Sequence, residues 1–242
     1  MIDRSTDEDL TQILDWLRLE AEEERNTFHT NRDMIVEGHG GRKLFVLREG
    51  VEVAAFALGG AGVIDIFETR PGYRGQAYGR ELAQFCIERA ATADMAVIEF
   101  ECAPRTSLPF WQAMGFEQIR PRHGSNPWVS LRVARRHTLP AGDPVDVIIR
   151  TFDEAVTYSD IAPMHEYRPT AIRSPDGVIH LSERVVLHEP DLPDNREPAV
   201  EIVVAGNRVA LDKAKRPELA AIGVRHDRFL QYYIDQIDPD GA

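Results

Sequence analysis

The residues with the clearest chemical potential in this chain form a glycine-containing turn from Arg70 to Leu82. The turn lies between a short apolar run and a segment whose apolar residues recur at helical spacing. Backbone N–H groups at the start of a helix have no partner within the helix and carry a partial positive charge. Gly75 and Gly79 place no Cβ between such groups and a ligand, and Arg74 adds a full charge. The turn therefore predicts a binding site for an anion such as a pyrophosphate.

Two common nucleotide-binding motifs do not fit this turn. Its glycine spacing is not Gly-x-Gly-x-x-Gly, and no Gly-Lys-Ser or Gly-Lys-Thr follows. The sequence thus excludes a dinucleotide fingerprint and a Walker loop at this place. An ordinary strand-to-helix connection remains the structural alternative.

A second informative segment runs from Met95 to Phe116. Met95–Cys102 alternates apolar and polar residues like a half-buried strand. A predicted helix follows and ends in the sequence Phe-Trp-Gln-Ala-Met-Gly-Phe, from Phe110 to Phe116. Gly115 is predicted to end this helix in the left-handed conformation, with Phe116 starting the next strand.

Together, the two segments resemble the GCN5-related N-acetyltransferase (GNAT) superfamily, and the resemblance extends from Met1 to about Arg135. The GNAT acyl-CoA loop has Arg or Gln, two residues, Gly, one residue, then Gly or Ala, and residues 74–79 match it with one departure. Ala77 replaces the central glycine, which permits close approach but lacks the glycine's freedom to adopt a positive φ. GNAT proteins also carry a Phe-Tyr-x-x-x-Gly-Phe ending after the fifth strand, which residues 110–116 match except for Trp111. The resemblance implies an α/β (α+β) fold with a mixed, mostly antiparallel central sheet flanked by helices.

The resemblance further implies an acetyl-CoA-dependent N-acetyltransferase. The acetyl group would pass to a primary amine of a small molecule or protein by direct attack in a ternary complex. A CoA-binding or regulatory module with little turnover is the alternative, favoured by the departures at Ala77 and Trp111. The expected cofactor contacts lie on the strand before the loop, on the loop and on one later aromatic residue; they are Phe67, Glu68, Thr69, Arg74, Gly75, Gln76, Ala77, Tyr78, Gly79, Arg80 and Trp111.

Acyl transfer to an amine requires a group that removes the amine proton. Many GNAT proteins use a Glu on the fifth strand, and Glu99 occupies that place; a solvated carboxylate beside Glu101 is the alternative. Asp65 is a second candidate because it interrupts an apolar run, and Glu68 is a weaker one.

The departing thiolate gains from a proton donor. Many family members place a tyrosine where this chain has Trp111, whose indole N–H cannot act as an acid at neutral pH. Tyrosine-dependent protonation is therefore excluded at that position, and Ser107, a water molecule or no dedicated acid are the alternatives.

The elements that must position these residues can be read from the sequence pattern. Ser5-x-x-Glu8 is a capping-box signature before an apolar stripe, which predicts the first helix. Two predicted hairpins bracket the motifs, and Val63–Phe67 is a predicted strand. The hairpin strands are Lys43–Arg48 with Val51–Leu58, and Phe116–Arg120 with Trp128–Val133. We expect the residues that select the acceptor amine to lie on the first helix, the turn after it and the closing hairpin. The turn contains Glu20, Glu22, Glu23 and Glu24 and is followed by Phe28.

Composition narrows the partner classes. The 242 residues include 28 Lys+Arg and 40 Asp+Glu, a formal net charge of −12, which argues against nucleic acid or an anionic membrane as a partner. Two cysteines make a disulfide framework improbable, and neither a signal peptide nor a membrane-spanning run is found, so a cytoplasmic location is expected. The sequence leaves open whether the chain forms a homodimer. No metal site is expected, because His180 and His188 lie far apart and lack a cysteine.

The resemblance ends in a Pro/Gly-containing segment. We predict an acyl-CoA-binding domain over residues 1–137, a linker over 138–144 and a β-rich accessory domain of unknown role over 145–242. Three strand regions and one closing helix are predicted in this last part: Val145–Phe152, Gly177–His188, Val200–Leu211 with a turn at Ala205-Gly206-Asn207, and the helix Asp227–Ile237.

Overall fold

The structure is a computed structural model, and it describes residues 1–23, 28–121, 123–153, 161–190, 192, 197–227 and 231–241. The chain divides into two compact units, Met1–Leu131 and Arg132–Ala242. In these described ranges, no helix has the length and apolar character needed to cross a lipid bilayer.

The first unit alternates helices and strands. Its strands are β1 (Ile2–Arg4), β2 (Leu44–Glu49), β3 (Glu52–Leu58), β4 (Ile66–Thr69), β5 (Val97–Glu101), β6 (Glu117–Ile119) and β7 (Trp128–Arg132). Its helices are α1 (Asp7–Glu22), α2 (Arg32–Gly40), α3 (Tyr78–Thr92) and α4 (Leu108–Ala113).

Two sheets organise this unit. One has the antiparallel order β1-β2-β3-β4, and the other has the order β5-β7-β6. Helices cover both faces of the first sheet, as two neighbouring residues of β2 show by pointing to opposite faces and packing against different helices. Val46 joins the core that α1 covers, whereas the ring of Phe45 lies 5.3 Å from that of Phe85 on α3. The predicted α/β (α+β) fold class, with mostly antiparallel strands flanked by helices, is confirmed, and the predicted single central sheet is divided between β4 and β5 into these two sheets.

Helix α1 begins one residue later than the sequence predicted. Thr6 is the N-cap: its hydroxyl accepts from the Asp9 N–H at 3.3 Å, and the Asp9 carboxylate accepts from the Thr6 N–H at 2.7 Å. The predicted box from Ser5 to Glu8 is wrong, because the Ser5 hydroxyl is 2.8 Å from Nδ1 of His39 instead. The apolar stripe of α1 packs on β3, where the rings of Trp16 and Phe56 are 5.4 Å apart.

The second unit is rich in strands. They are β8 (Asp143–Pro144), β9 (Val147–Phe152), β10 (His165–Tyr167), β11 (Ala171–Arg173), β12 (Ile179–Val186), β13 (Ala199–Val204), β14 (Asn207–Lys213), β15 (Val224–His226) and β16 (Tyr232–Ile237), with one helix, α5 (Pro217–Ile222). They form sheets of order β10-β9-β13-β14 and β15-β16-β12-β11-β8 around a common apolar core.

Several predictions for this unit need correction or refinement. The closing helix is wrong: residues 232–237 form β16, which pairs with β12 and β15, and Phe229 and Leu230 of that prediction lie outside the described residues. Asp143 and Pro144, assigned to the linker, pair with β11 as β8. The hairpin between β13 and β14 turns at Ala205 and Gly206, both at positive φ, in agreement with the predicted turn.

Candidate functional site

A large cleft lies between the end strands of the two sheets of the first unit. Within the described residues, β4 is the last strand of one sheet and β5 the first strand of the other. Residues of both strands line a cleft of about 1370 Å³, larger than the roughly 300–1,000 Å³ of a typical small-molecule site. Because each of these strands has, among the described residues, one edge without a strand partner, an extended ligand arm can lie along that edge.

Most of the predicted site residues come together at this cleft. Those that line it are Asp65, Phe67, Glu68, Thr69, Arg74, Gly75, Ala77, Gly79, Arg80, Glu99, Ser107 and Trp111. Gln76 and Tyr78 instead line a smaller depression of about 610 Å³, which shares Ala77 and Arg80 with the cleft. Phe28, next to the predicted acceptor turn, and Trp128, in the predicted closing hairpin, also line the cleft, whereas His123 is a lining residue that the sequence motifs did not indicate.

The glycine-containing loop has the backbone conformation of an anion cradle. Gly75 has φ of 79°, and Ala77, the residue before α3, has φ of 70° and ψ of −4°. Ala77 therefore adopts the left-handed conformation, which the sequence analysis expected only of a glycine at this position. This conformation costs an alanine roughly 1–2 kcal/mol, so the surrounding structure must hold it in place.

The start of α3 is open to a ligand. The first bond into the helix is from the Glu81 N–H to the Ala77 carbonyl, so the N–H groups of residues 78–80 precede the intrahelical ladder. Ala77 has no side-chain acceptor to cap them, and a Cβ on Gly75 would meet no atom within 4 Å. By contrast, a Cβ on Gly79 would lie 3.0 Å from Oγ1 of Thr69, so α3 packs tightly against β4. The loop geometry fits a phosphate-bearing ligand.

Arg74 makes contacts that the sequence did not reveal. Its Nε donates to the Thr69 carbonyl at 2.9 Å, and its Nη2 donates to Oε1 of Glu68 at 3.1 Å and to Oε1 of Glu20 at 3.5 Å. Trp16 donates from Nε1 to the other oxygen of Glu20 at 3.0 Å. Glu20, which the sequence analysis assigned to the turn after the first helix, thus lies within α1 and turns inward. Glu20 follows Trp16 by four residues, about one helical turn, along the buried stripe of α1, and this spacing is the sequence signal for its inward orientation.

The two faces of the edge strands differ in chemistry. Successive strand residues point to opposite faces. Phe67 of β4 and Phe100 of β5 both pack against Trp111, with ring centroids 4.9 and 4.6 Å apart. Glu68, Glu99 and Glu101 therefore lie on the opposite face of their strands. The cleft has an aromatic side built from α4 and an acidic side toward α1.

Burial changes the acidity of two carboxyl groups at the cleft. Burial raises the pKa of Glu68 above its ordinary value, although Arg74 and the Thr69 N–H oppose the change. Burial also raises the pKa of Asp65, opposed by Lys43. A raised pKa brings a carboxylate closer to the basicity that proton transfer at neutral pH requires.

The remaining candidates are constrained by their contacts. Trp111 is only 4% exposed and is surrounded by phenylalanine rings. The Ser107 hydroxyl donates to the Pro104 carbonyl at 2.8 Å. Burial raises the pKa of Cys102, which lines the cleft, to about 11, so this group is a thiol at neutral pH. Covalent transfer through Cys102 is therefore disfavoured. In the described ranges, no group of three or more His, Cys, Asp and Glu side chains is arranged to hold a metal ion.

Comparison with solved structures gives several similar chains. One is the ribosomal-protein-S18-alanine N-acetyltransferase of Escherichia coli, with 17% identity over 55% of this chain and 93% of that chain, at a TM-score of 0.42. N-acetylglutamate synthase of Neisseria gonorrhoeae, solved with coenzyme A and N-acetyl-glutamate, has 13% identity over 56% and 35% of the two chains, at a TM-score of 0.45. The protein yncA of Salmonella typhimurium, solved with acetyl-CoA, has 16% identity over 58% and 97%, at a TM-score of 0.42.

A search of curated proteins found no match. The family model described as acetyltransferase (GNAT) domain matches residues 14–129. This range contains the cradle, the edge strands β4 and β5 and the Phe110–Phe116 ending. Residues 14–129 of this chain therefore form an acetyltransferase domain of the GNAT family.

Proposed function

We propose that this protein transfers an acetyl group from acetyl-CoA to a primary amine. The observation that carries the proposal is the start of α3, which has no side-chain cap, with Gly75 and Ala77 at positive φ, beside a cleft between β4 and β5, the end strands of their sheets in the described part of the chain. When bound, acetyl-CoA supplies an activated thioester. In the net reaction a C–N bond forms, the thioester C–S bond breaks, and sulfur leaves as the thiolate.

The donor site would use mainly backbone groups. The N–H groups of residues 75–80 and the side chains of Arg74 and Arg80 would bind the phosphates, with Gln76 and Tyr78 at the outer edge. Phe67, Glu68 and Thr69 would lie along the extended arm at the outer edge of β4, where the Thr69 N–H and carbonyl already bond the side chains of Glu68 and Arg74. Trp111 would form part of the wall against which the extended arm packs.

The acceptor side would supply the base. We propose Glu99, on the acidic face of β5, to accept the amine proton directly or through water. Asp65 and Glu68 are the alternatives, and the raised pKa of both is suited to the same role. We propose no tyrosine acid, because Trp111 stands at that position. Ser107 is the alternative acid from the sequence, but the hydrogen bond from its hydroxyl to the Pro104 carbonyl competes with that use.

Calorimetry with acetyl-CoA, followed by thiol-release assays over an amine panel, tests the proposal. We expect saturable binding and amine-dependent release of CoA. Glu99→Gln should lower kcat while sparing the Kd of the donor, and should remove the rise of kcat/KM with pH. Glu68→Gln and Asp65→Asn are the matched variants that identify the base. A protein that fails to bind acetyl-CoA at millimolar concentration would refute the proposal.

The second candidate function is a CoA-binding regulatory module. Ala77 in place of the central glycine and Trp111 in place of the tyrosine acid favour it. Binding of acetyl-CoA without thiol release on any amine would support the module over the enzyme. In either case, the described residues that line the cleft belong to the first unit, and we propose an accessory role for the second.

A further inference from the structure

Charge on the acceptor side of the cleft points to the kind of amine that binds there. Among the described residues that line the cleft, carboxylates outnumber guanidinium groups by four to two; they are Asp65, Glu68, Glu99 and Glu101 against Arg74 and Arg80. The proposed donor brings several negative charges of its own to the loop that contains both arginines. The negative charge that remains on the acidic side therefore favours a cationic acceptor.

Arg74 shows where a cation fits. Its guanidinium already contacts Glu68 and Glu20, whose side chains are only 15% and 6% exposed, while its own side chain is 51% exposed. The two carboxylates come from different elements, β4 and α1, and are bridged by one nitrogen. Trp16 holds the second oxygen of Glu20, which orients the first toward Arg74.

The reacting nitrogen cannot meet this need throughout the reaction. It must be neutral when it attacks the acyl carbon, so it carries no charge to a carboxylate at that moment. A second cationic group on the acceptor, which keeps its proton, can pair with Glu20 and Glu68 before, during and after the attack.

We infer that the acceptor is a dication, such as a diamine or an aminoalkyl guanidine, whose non-reacting cation takes the place of Arg74 between Glu20 and Glu68. Arg74 would then turn to the donor phosphates beside Gly75. Arg74 would contact either the two carboxylates or the donor phosphates. Because the cation of the acceptor releases Arg74 to the donor, and the donor releases the two carboxylates to the acceptor, donor and acceptor bind with positive coupling. Each lowers the Kd of the other by the same factor. This inference rests on the proposed function.

The test compares α,ω-diamines of increasing chain length, and agmatine, each with the monoamine of matching length. Calorimetry measures the Kd of CoA alone and in the presence of each amine. We expect a diamine to lower the Kd of CoA several-fold and its matched monoamine to leave it unchanged. In turnover assays, kcat/KM should favour the diamine at least tenfold, equivalent to about 1.4 kcal/mol.

The variant Glu20→Gln should bring the diamine-to-monoamine ratio of kcat/KM close to one. Glu22→Gln is the matched control, because Glu22 lies on the same helix but is 59% exposed and pairs with Arg18. If Glu20→Gln does not fold, the calorimetric comparison on the unaltered protein decides alone. Equal effects of diamines and monoamines would overturn the inference and leave the proposed function intact. Absence of CoA binding would overturn both.

Discussion

Replacing Arg74 with alanine should destabilise the first unit in a pH-dependent way. The change removes hydrogen bonds to the Thr69 carbonyl, to Glu68 and to Glu20, and leaves two largely buried carboxylates without their guanidinium. A hydrogen bond to a charged group contributes roughly 1.5–3 kcal/mol. Because half of the Arg74 side chain is exposed, solvent screening reduces the sum, and we expect a loss of about 1–2 kcal/mol at pH 8.

The sign of the pH dependence follows from Glu68. Burial raises its pKa in the folded protein, so the folded state holds the proton to a higher pH than the unfolded state. A raised carboxyl pKa favours folding at low pH, and this advantage disappears as the pH rises through the folded pKa. Without Arg74 the pKa of Glu68 rises further. The deficit of the variant should therefore be small near pH 4 and grow toward pH 8.

Urea unfolding followed by tryptophan fluorescence measures this difference. All three tryptophans of the chain, Trp16, Trp111 and Trp128, lie in the first unit, so the signal reports on that unit. Arg18→Ala is the matched control, since Arg18 is also 51% exposed but pairs with an exposed glutamate. Its effect should stay within about 0.5 kcal/mol and show no pH trend. Equal unfolding midpoints for the two variants at pH 8 would refute the reasoning.

Three further outcomes are expected. Arg74→Ala should also raise the Kd of acetyl-CoA by about tenfold in calorimetry, and an unchanged Kd would remove Arg74 from the donor site. Gly79→Ala should weaken CoA binding several-fold because its Cβ would meet Oγ1 of Thr69 at 3.0 Å, whereas Gly40→Ala, where a Cβ meets no atom within 4 Å, should leave the Kd unchanged. Burial raises the pKa of Asp9, but hydrogen bonds from Arg48 and Thr6 outweigh it and lower the value from 3.8 to about 2. Asp9 thus stabilises the fold above pH 4 by about 2 kcal/mol, lost as the pH falls toward 2; in acid titrations monitored by fluorescence, Asp9→Asn should lack that contribution, and an unchanged acid transition would contradict it.

Local sequence patterns predicted much of the first unit because its main signals are short-range. Gly115 has φ of 91° and ends α4 as the Phe110–Phe116 motif predicted. The start of α1 shows the limit of this approach. Both Ser5-x-x-Glu8 and Thr6-x-x-Asp9 fit a capping box, and the choice between them depends on His39, which lies far away in sequence and engages Ser5.

Long-range contacts explain the remaining differences. Tyr233 and Ile234 fall in an apolar pattern that fits a helix, but pairing with β12 and β15 imposes a strand on residues 232–237. The contacts of Arg74 likewise depend on which groups from α1 and β4 meet in space. The left-handed conformation of Ala77 runs against the local preference of alanine, and it occurs at the proposed site, where such conflicts are expected.

The free edges of β4 and β5 have a consequence for solubility. A strand edge without a strand partner is a template on which another chain can add, and in the described part of the chain β4 and β5 each have one such edge. β4 is only four residues long, and the alternation of both strands places Glu68, Glu99 and Glu101 beside the exposed peptide groups. Inward-pointing charges and short strands are recognised protections against such pairing. Glu68, which would receive the cation of the acceptor, thus also opposes aggregation, and CoA should slow aggregation by covering the edges.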